Sequence, residues 1–120
     1  MKNIVATIPK AKFSSWDHAR RVLERCDGTT DWGNGEWFWL VNCRNPPRHS
    51  GIGAQCYLIF DGLIRGYFDI VDVDDTENWR ERHAIGKPRP GKSLILANWH
   101  SIPPVPHVGF QGYRYTELWT

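Results

Sequence analysis

The sequence predicts a small α+β domain in which a mixed, partly closed β-barrel is wrapped around one main helix and one short helix. Three observations lead there. About six short runs rich in β-branched and aromatic residues are separated by Gly, Pro and Asn. An Asp61-Gly62 pair joins two of these runs as a tight hairpin. Only one stretch, beginning at Ser14-Ser15, carries a clean helical stripe. At 120 residues the chain reads as a single domain, residues 1–120, large enough for one core.

In chain order, Ile4-Val5-Ala6-Thr7-Ile8 is a short strand stopped by Pro9, expected at a sheet edge or closing a barrel. A serine N-cap followed by Trp16-Asp17 opens the helix. Its buried stripe is Trp16, Ala19, Leu23 and Cys26, with Arg20, Arg21, Glu24 and Arg25 towards solvent and Gly28 ending it. His18 reads as a solvated helix residue. Residues 27–35 are too rich in Gly, Asn and Asp for a regular element. Trp32 within them either plugs a barrel mouth or lines a pocket.

Glu36–Cys43 places apolar residues on both period-2 faces, as a strand covered on both sides requires. The basic, Pro- and Gly-rich segment Arg44–Gly53 cannot be helical. Cys56–Phe60 and Leu63–Val73 form the hairpin. Asp-Gly favours a type I′ turn, pairing Phe60 with Leu63, Ile59 with Ile64, Leu58 with Arg65, Tyr57 with Gly66 and Cys56 with Tyr67. On that register Tyr57, Ile59 and Ile64 share a core face with Phe68 and Ile70. Gly66 inside a strand predicts a bulge or bend that curls the sheet. Thr76–Ala84 is the short helix, Gly86–Lys92 a basic loop, and Ser93–Trp99 a buried strand. His100–His107, with three prolines, is extended and either unpaired or paired along one edge. Tyr113–Trp119 is a last strand of alternating polar and aromatic faces.

Three cysteines with no Cys-x-x-Cys pair argue against a disulfide framework or a zinc site and fit a reducing, cytosolic setting. No segment has the length of a signal peptide's apolar stretch or of a membrane span. The net charge of +2 is unevenly spread: residues 61–86 hold three Lys/Arg against seven Asp/Glu, whereas residues 87–120 hold four against one. Such a chain offers a positive face to an anion. Seven tryptophans serve either packing or stacking on bases and sugars.

The succession Arg44-Asn45-Pro46-Pro47-Arg48, Gly53, Cys56-Tyr57-Leu58-Ile59-Phe60-Asp61-Gly62 and Leu63-Ile64-Arg65-Gly66-Tyr67-Phe68-Asp69-Ile70 resembles the core of the PUA-like superfamily, which includes PUA, ASCH, EVE and YTH domains. The resemblance covers about forty residues, with an aromatic strand, a loop, a "vyli"-type strand and an Ile-x-Gly strand in succession. It implies binding of RNA or of a modified base in an aromatic pocket, for which Trp32, Trp37, Trp39 and Trp99 are suitable residue types. The ASCH branch also includes nucleases and amidohydrolases, but its Gly-x-Lys-x-x-Glu-x-Arg hallmark is absent.

From the residues themselves, Arg44, Arg48 and His49 cluster in one loop; if that loop faces the same rim as Arg65, His100 or Arg114, the constellation forms a phosphate-reading edge beside a base pocket. Catalysis finds less support. Asp69, Asp72, Asp74 and Asp75 lack a calcium-loop spacing, the histidines lack a metal-binding interval, and no nucleophile-elbow, zincin or P-loop motif occurs. No cofactor is called for. The expected partner is therefore nucleic acid, RNA or modified DNA, and the alternatives are an ASCH-like hydrolase of RNA or nucleosides and a protein-interaction module.

Overall fold

The computed structural model describes residues 1–8, 11, 13–26, 39–43, 47–75, 92–110 and 112–118. Along the chain these form β1 (Asn3–Thr7), α1 (Trp16–Glu24), β2 (Trp39–Cys43), β3 (Gln55–Phe60), β4 (Leu63–Asp75), β5 (Lys92–Pro106) and β6 (Tyr113–Thr116). The strands make one six-stranded sheet in the order β2-β5-β4-β3-β1-β6. Only β1 and β3 run parallel within it. The sheet curls into a partly closed barrel with α1 against it, the fold class expected from the sequence. Among the described residues no helix is long and apolar enough to cross a membrane. The expected short helix at Thr76–Ala84 lies outside the described residues.

The curl comes from the two longest strands. β4 and β5 shift register three times along their pairing, between Ile64 and Gly66, Tyr67 and Asp69, and Ile70 and Asp72. Each shift inserts unpaired backbone and increases local twist. At the middle one the extra residue is Asn98, at φ 64°, a left-handed conformation that asparagine accepts more readily than other side chains. Its N–H donates to the Cys26 carbonyl at 2.8 Å, tying the exit of α1 to the bulge.

The β3–β4 turn is as expected, with Asp61 at φ 55° and Gly62 at φ 74°. Phe60 pairs with Leu63 and Ile59 with Ile64, but Leu58 then pairs with Gly66, Tyr57 with Tyr67 and Cys56 with Phe68. The predicted bend is thus a bulge at Arg65. One extra residue reverses the side-chain parity beyond it. Phe68 and Ile70 consequently join Cys56, Leu58 and Phe60 on the helix side, while Tyr57, Ile59 and Ile64 pack on the opposite face, correcting the single core face expected from an unbulged register.

Both faces of the sheet are covered. On the helix side Ile4, Ala6, Leu58, Phe68, Leu94 and Leu96 pack with Ala19 and Leu23 of α1. On the outer side Val5, Tyr57, Ile59 and Ile64 are roofed by Ile102, Phe110 and Leu118. This explains why β3 is apolar at nearly every position.

Three further expectations are corrected. β1 lies between β3 and β6, which removes the edge alternative and leaves the barrel-closing one, because β6 returns antiparallel to cover it. β2 pairs with β5 alone among the described residues, and its Trp39, Leu40 and Val41 are half-buried rather than enclosed. α1 ends near Arg25, short of Gly28: the N–H groups of Arg25 and Cys26 bond back to the carbonyls of Val22 and Leu23, tightening the last turn. Its start is as read, with Ser15 Oγ accepting from the His18 N–H at 3.2 Å. The proline-bearing second half of β5 pairs along one edge only, with β4.

Candidate nucleic-acid interface

At the hairpin-turn end of the sheet, on its helix side, α1 and three strands bring aromatic rings together. Trp16 is the first residue of α1, where the buried stripe reaches the sheet. Its ring centroid lies 5.7 Å from Phe60 and 6.1 Å from Trp99. Phe13 lies 5.9 Å from Trp39 and 6.4 Å from Phe60. Phe13, Trp16, Trp39 and Trp99 are only half-buried, so the cluster joins the core below and meets solvent above.

Arg65 enters this cluster from β4, two residues after Leu63 and on the face that Phe60 presents. Its Nε donates to the Phe60 carbonyl at 3.2 Å, and its guanidinium carbon sits 4.9 Å over the Trp16 ring. No carboxylate pairs with Arg65 among the described residues. Trp99 is held by a 3.0 Å bond from Nε1 to Ser101 Oγ and by the bare Gly66 backbone beneath it. A guanidinium on an indole beside two more indoles combines a stacking surface with a fixed positive charge.

The remaining expected site residues lie elsewhere, so the single rim anticipated from the sequence is not what the chain builds. His100 is on the outer face, stacked on Tyr67 with centroids 4.7 Å apart and planes 16° from parallel. Arg114 is also on the outer face, opposite Val5, with its guanidinium carbon 4.2 Å over Phe110. Arg48 and His49 are exposed near the β6 edge. The His49 N–H donates to the Tyr115 hydroxyl at 3.1 Å and its carbonyl accepts from the Lys2 N–H at 2.6 Å. The alternation of faces along β4, β5 and β6 is what separates these cations. Trp32, Trp37 and Arg44 lie outside the described residues.

Sequence reading missed Phe13, Trp16 and Phe60 as members of the site. Trp16 had been assigned wholly to the helix stripe. The available signal was its place at the first helical position, where a large ring overhangs the end of the sheet it packs on.

The three cysteines are buried and no disulfide joins them. Enclosure pushes the Cys56 thiol up to about 12 from an ordinary 9.0. It is therefore protonated at neutral pH and unfit as an accessible nucleophile. Iodoacetamide at pH 8 should leave Cys56 unmodified in the folded protein and label it once denaturant unfolds the chain; rapid native labelling would contradict its enclosure. Because the unfolded thiol ionises first, this group's stabilising effect is complete below about pH 9 and is lost as pH rises towards about 12. Asp69 accepts from Asn98 Nδ2 at 3.4 Å and Asp72 accepts from the Val73 N–H at 2.8 Å, contacts that sit at the register shifts between β4 and β5. Among the described residues no group of three or more His, Cys, Asp or Glu is placed to hold a metal.

The architecture is a curled, mixed six-stranded sheet with a parallel β1–β3 pair and one helix, a small, partly closed α+β barrel. The solved structure of a mutant of the ASCH protein ZmASCH from Zymomonas mobilis is similar over 98% of this chain and 91% of that one, with TM-score 0.62 and 9% identity. At that identity the likeness is one of fold. No family model and no curated protein sequence matches the chain.

Proposed function

We propose that this domain binds single-stranded nucleic acid, RNA or a strand carrying a modified base, with an unpaired base seated on the aromatic cluster beside Arg65. The observation that carries this reading is the Arg65–Trp16 pair set among half-buried Phe13, Trp39 and Trp99. Indole faces accept any flat ring, and the guanidinium adds attraction for the adjoining phosphate. The fold likeness to an ASCH protein and the PUA-like sequence resemblance support the same class of ligand. The alternative of an ASCH-like hydrolase has the fold likeness behind it, but the enclosed Cys56 cannot serve as its nucleophile.

Replacing Trp16 by Ala should weaken binding of a single-stranded RNA by about 5- to 150-fold, the equivalent of losing about 1–3 kcal/mol of stacking. Titration by fluorescence anisotropy reads this, with thermal melting to establish that the variant is folded. Arg65→Ala should weaken binding and flatten its salt dependence. A folded Trp16→Ala protein with unchanged affinity, or wild-type binding no better than an unrelated protein of equal charge, would reject the proposal.

A further inference from the structure

The structure assigns a second ligand contact: we infer that the groove between the β3–β4 turn and the segment after β5 binds a phosphate, that of the backbone next to the docked base. The ligand's identity rests on the nucleic-acid reading above; the groove's geometry comes from different residues, on the other face of the sheet.

The groove has a volume of about 470 Å³ and is lined by Gly62, Pro106, His107, Val108 and Arg114. Its walls are pinned. The His107 N–H donates to the Gly62 carbonyl at 3.0 Å, and the Phe110 N–H donates to Thr7 Oγ1 at 3.0 Å. Arg114 lies over the Phe110 ring and has no carboxylate partner among the described residues. A guanidinium held by its face on a ring keeps its edge N–H groups available for the paired acceptors of a phosphate. His107 Nδ1 lies 2.9 Å from the Val108 carbonyl, which can only accept, so the proton sits on Nδ1 and Nε2 is left uncommitted. Asp61, the neighbouring turn residue, does not line the groove.

The turn links the two contacts. Phe60 carries Trp16 on the helix side, and Gly62, two residues on, lines the groove on the outer side. A strand crossing the Asp61-Gly62 turn meets the aromatic cluster with a base and the groove with the adjoining phosphate.

The test measures binding of a labelled oligouridine across a salt series by wild type, Arg114→Ala, Arg114→Lys and His107→Ala, and of the same oligonucleotide carrying one uncharged methylphosphonate linkage, moved along the strand. Arg114→Ala should weaken binding about 5- to 10-fold and reduce the slope of log K against log salt by about 0.7, the value for one phosphate on a single strand. Arg114→Lys should restore the slope. One methylphosphonate position should weaken wild type to the same degree and leave Arg114→Ala unaffected. If Trp16→Ala impairs binding while Arg114→Ala retains wild-type affinity and slope, the groove inference falls and the nucleic-acid reading stands. If wild type fails to bind the oligonucleotide, both fall. Inorganic phosphate shifting the Arg114 and His107 NMR signals under that condition would make the groove a site for free phosphate, overturning the strand assignment.

Discussion

Gly66→Ala is expected to destabilise the domain by about 3 kcal/mol, at the upper end of what overpacking ordinarily costs. A Cβ at this position would run into the backbone carbonyl oxygen of His100 and come within 2.6 Å of the Trp99 ring. The ring can tilt, but the carbonyl belongs to β5, which pairs with β4 at this point, Gly66 with Ser101 and Tyr67 with His100. Relief therefore requires the two longest strands to part or the Arg65 bulge to move. Either movement displaces Trp99 and Arg65, so the nucleic-acid binding proposed for this site should fall together with stability. Urea denaturation followed by tryptophan fluorescence measures the first effect and anisotropy the second. An unchanged denaturation midpoint would show that the strands do not approach this closely.

Phe68→Ala should cost about 3–5 kcal/mol, the range for removing a buried aromatic ring from a packed core. Phe68 is fully buried on the helix side, with its ring 5.1 Å from Trp99. It underlies the aromatic cluster, and Leu58, Ile70 and Leu96 share its core. The cavity left behind would remove support from Trp99 before it affected the outer face. A milder Phe68→Leu change should retain the fold, lose part of the stability and weaken base binding more than groove binding. If Phe68→Ala melts within a degree of wild type, the assignment of Phe68 to the interior side of the bulge is wrong.

These two residues also show where sequence reading succeeded and where it stopped. The glycine at position 66 announced a bend, and the turn at Asp61-Gly62 fixed the first two pairs of the hairpin. The bulge could not be counted from sequence, because Arg65 is compatible with either parity. That one residue decided that Phe68 belongs with the helix. The cations were legible as candidates but not as an arrangement: Arg65 is on the helix side, Arg114 and His100 on the outer side, and Arg48 near the β6 edge. Trp99 is a candidate on sequence and its neighbour Trp16 is not, since a helical stripe accounts for an inward tryptophan without any reference to the end of the sheet.

By itself, the sequence determined what depends on neighbours along the chain: a serine cap and four-residue stripe for α1, an Asp-Gly turn between β3 and β4, short apolar runs that must pair, and a glycine where the sheet must bend. Only the tertiary structure decided β1's place beside β3, the face each arginine occupies, and the meeting of Trp16, Trp99 and Arg65. Those depend on strand pairing across long sequence separations, where a single inserted residue sends every later side chain to the opposite face and local propensity has no preference between the outcomes.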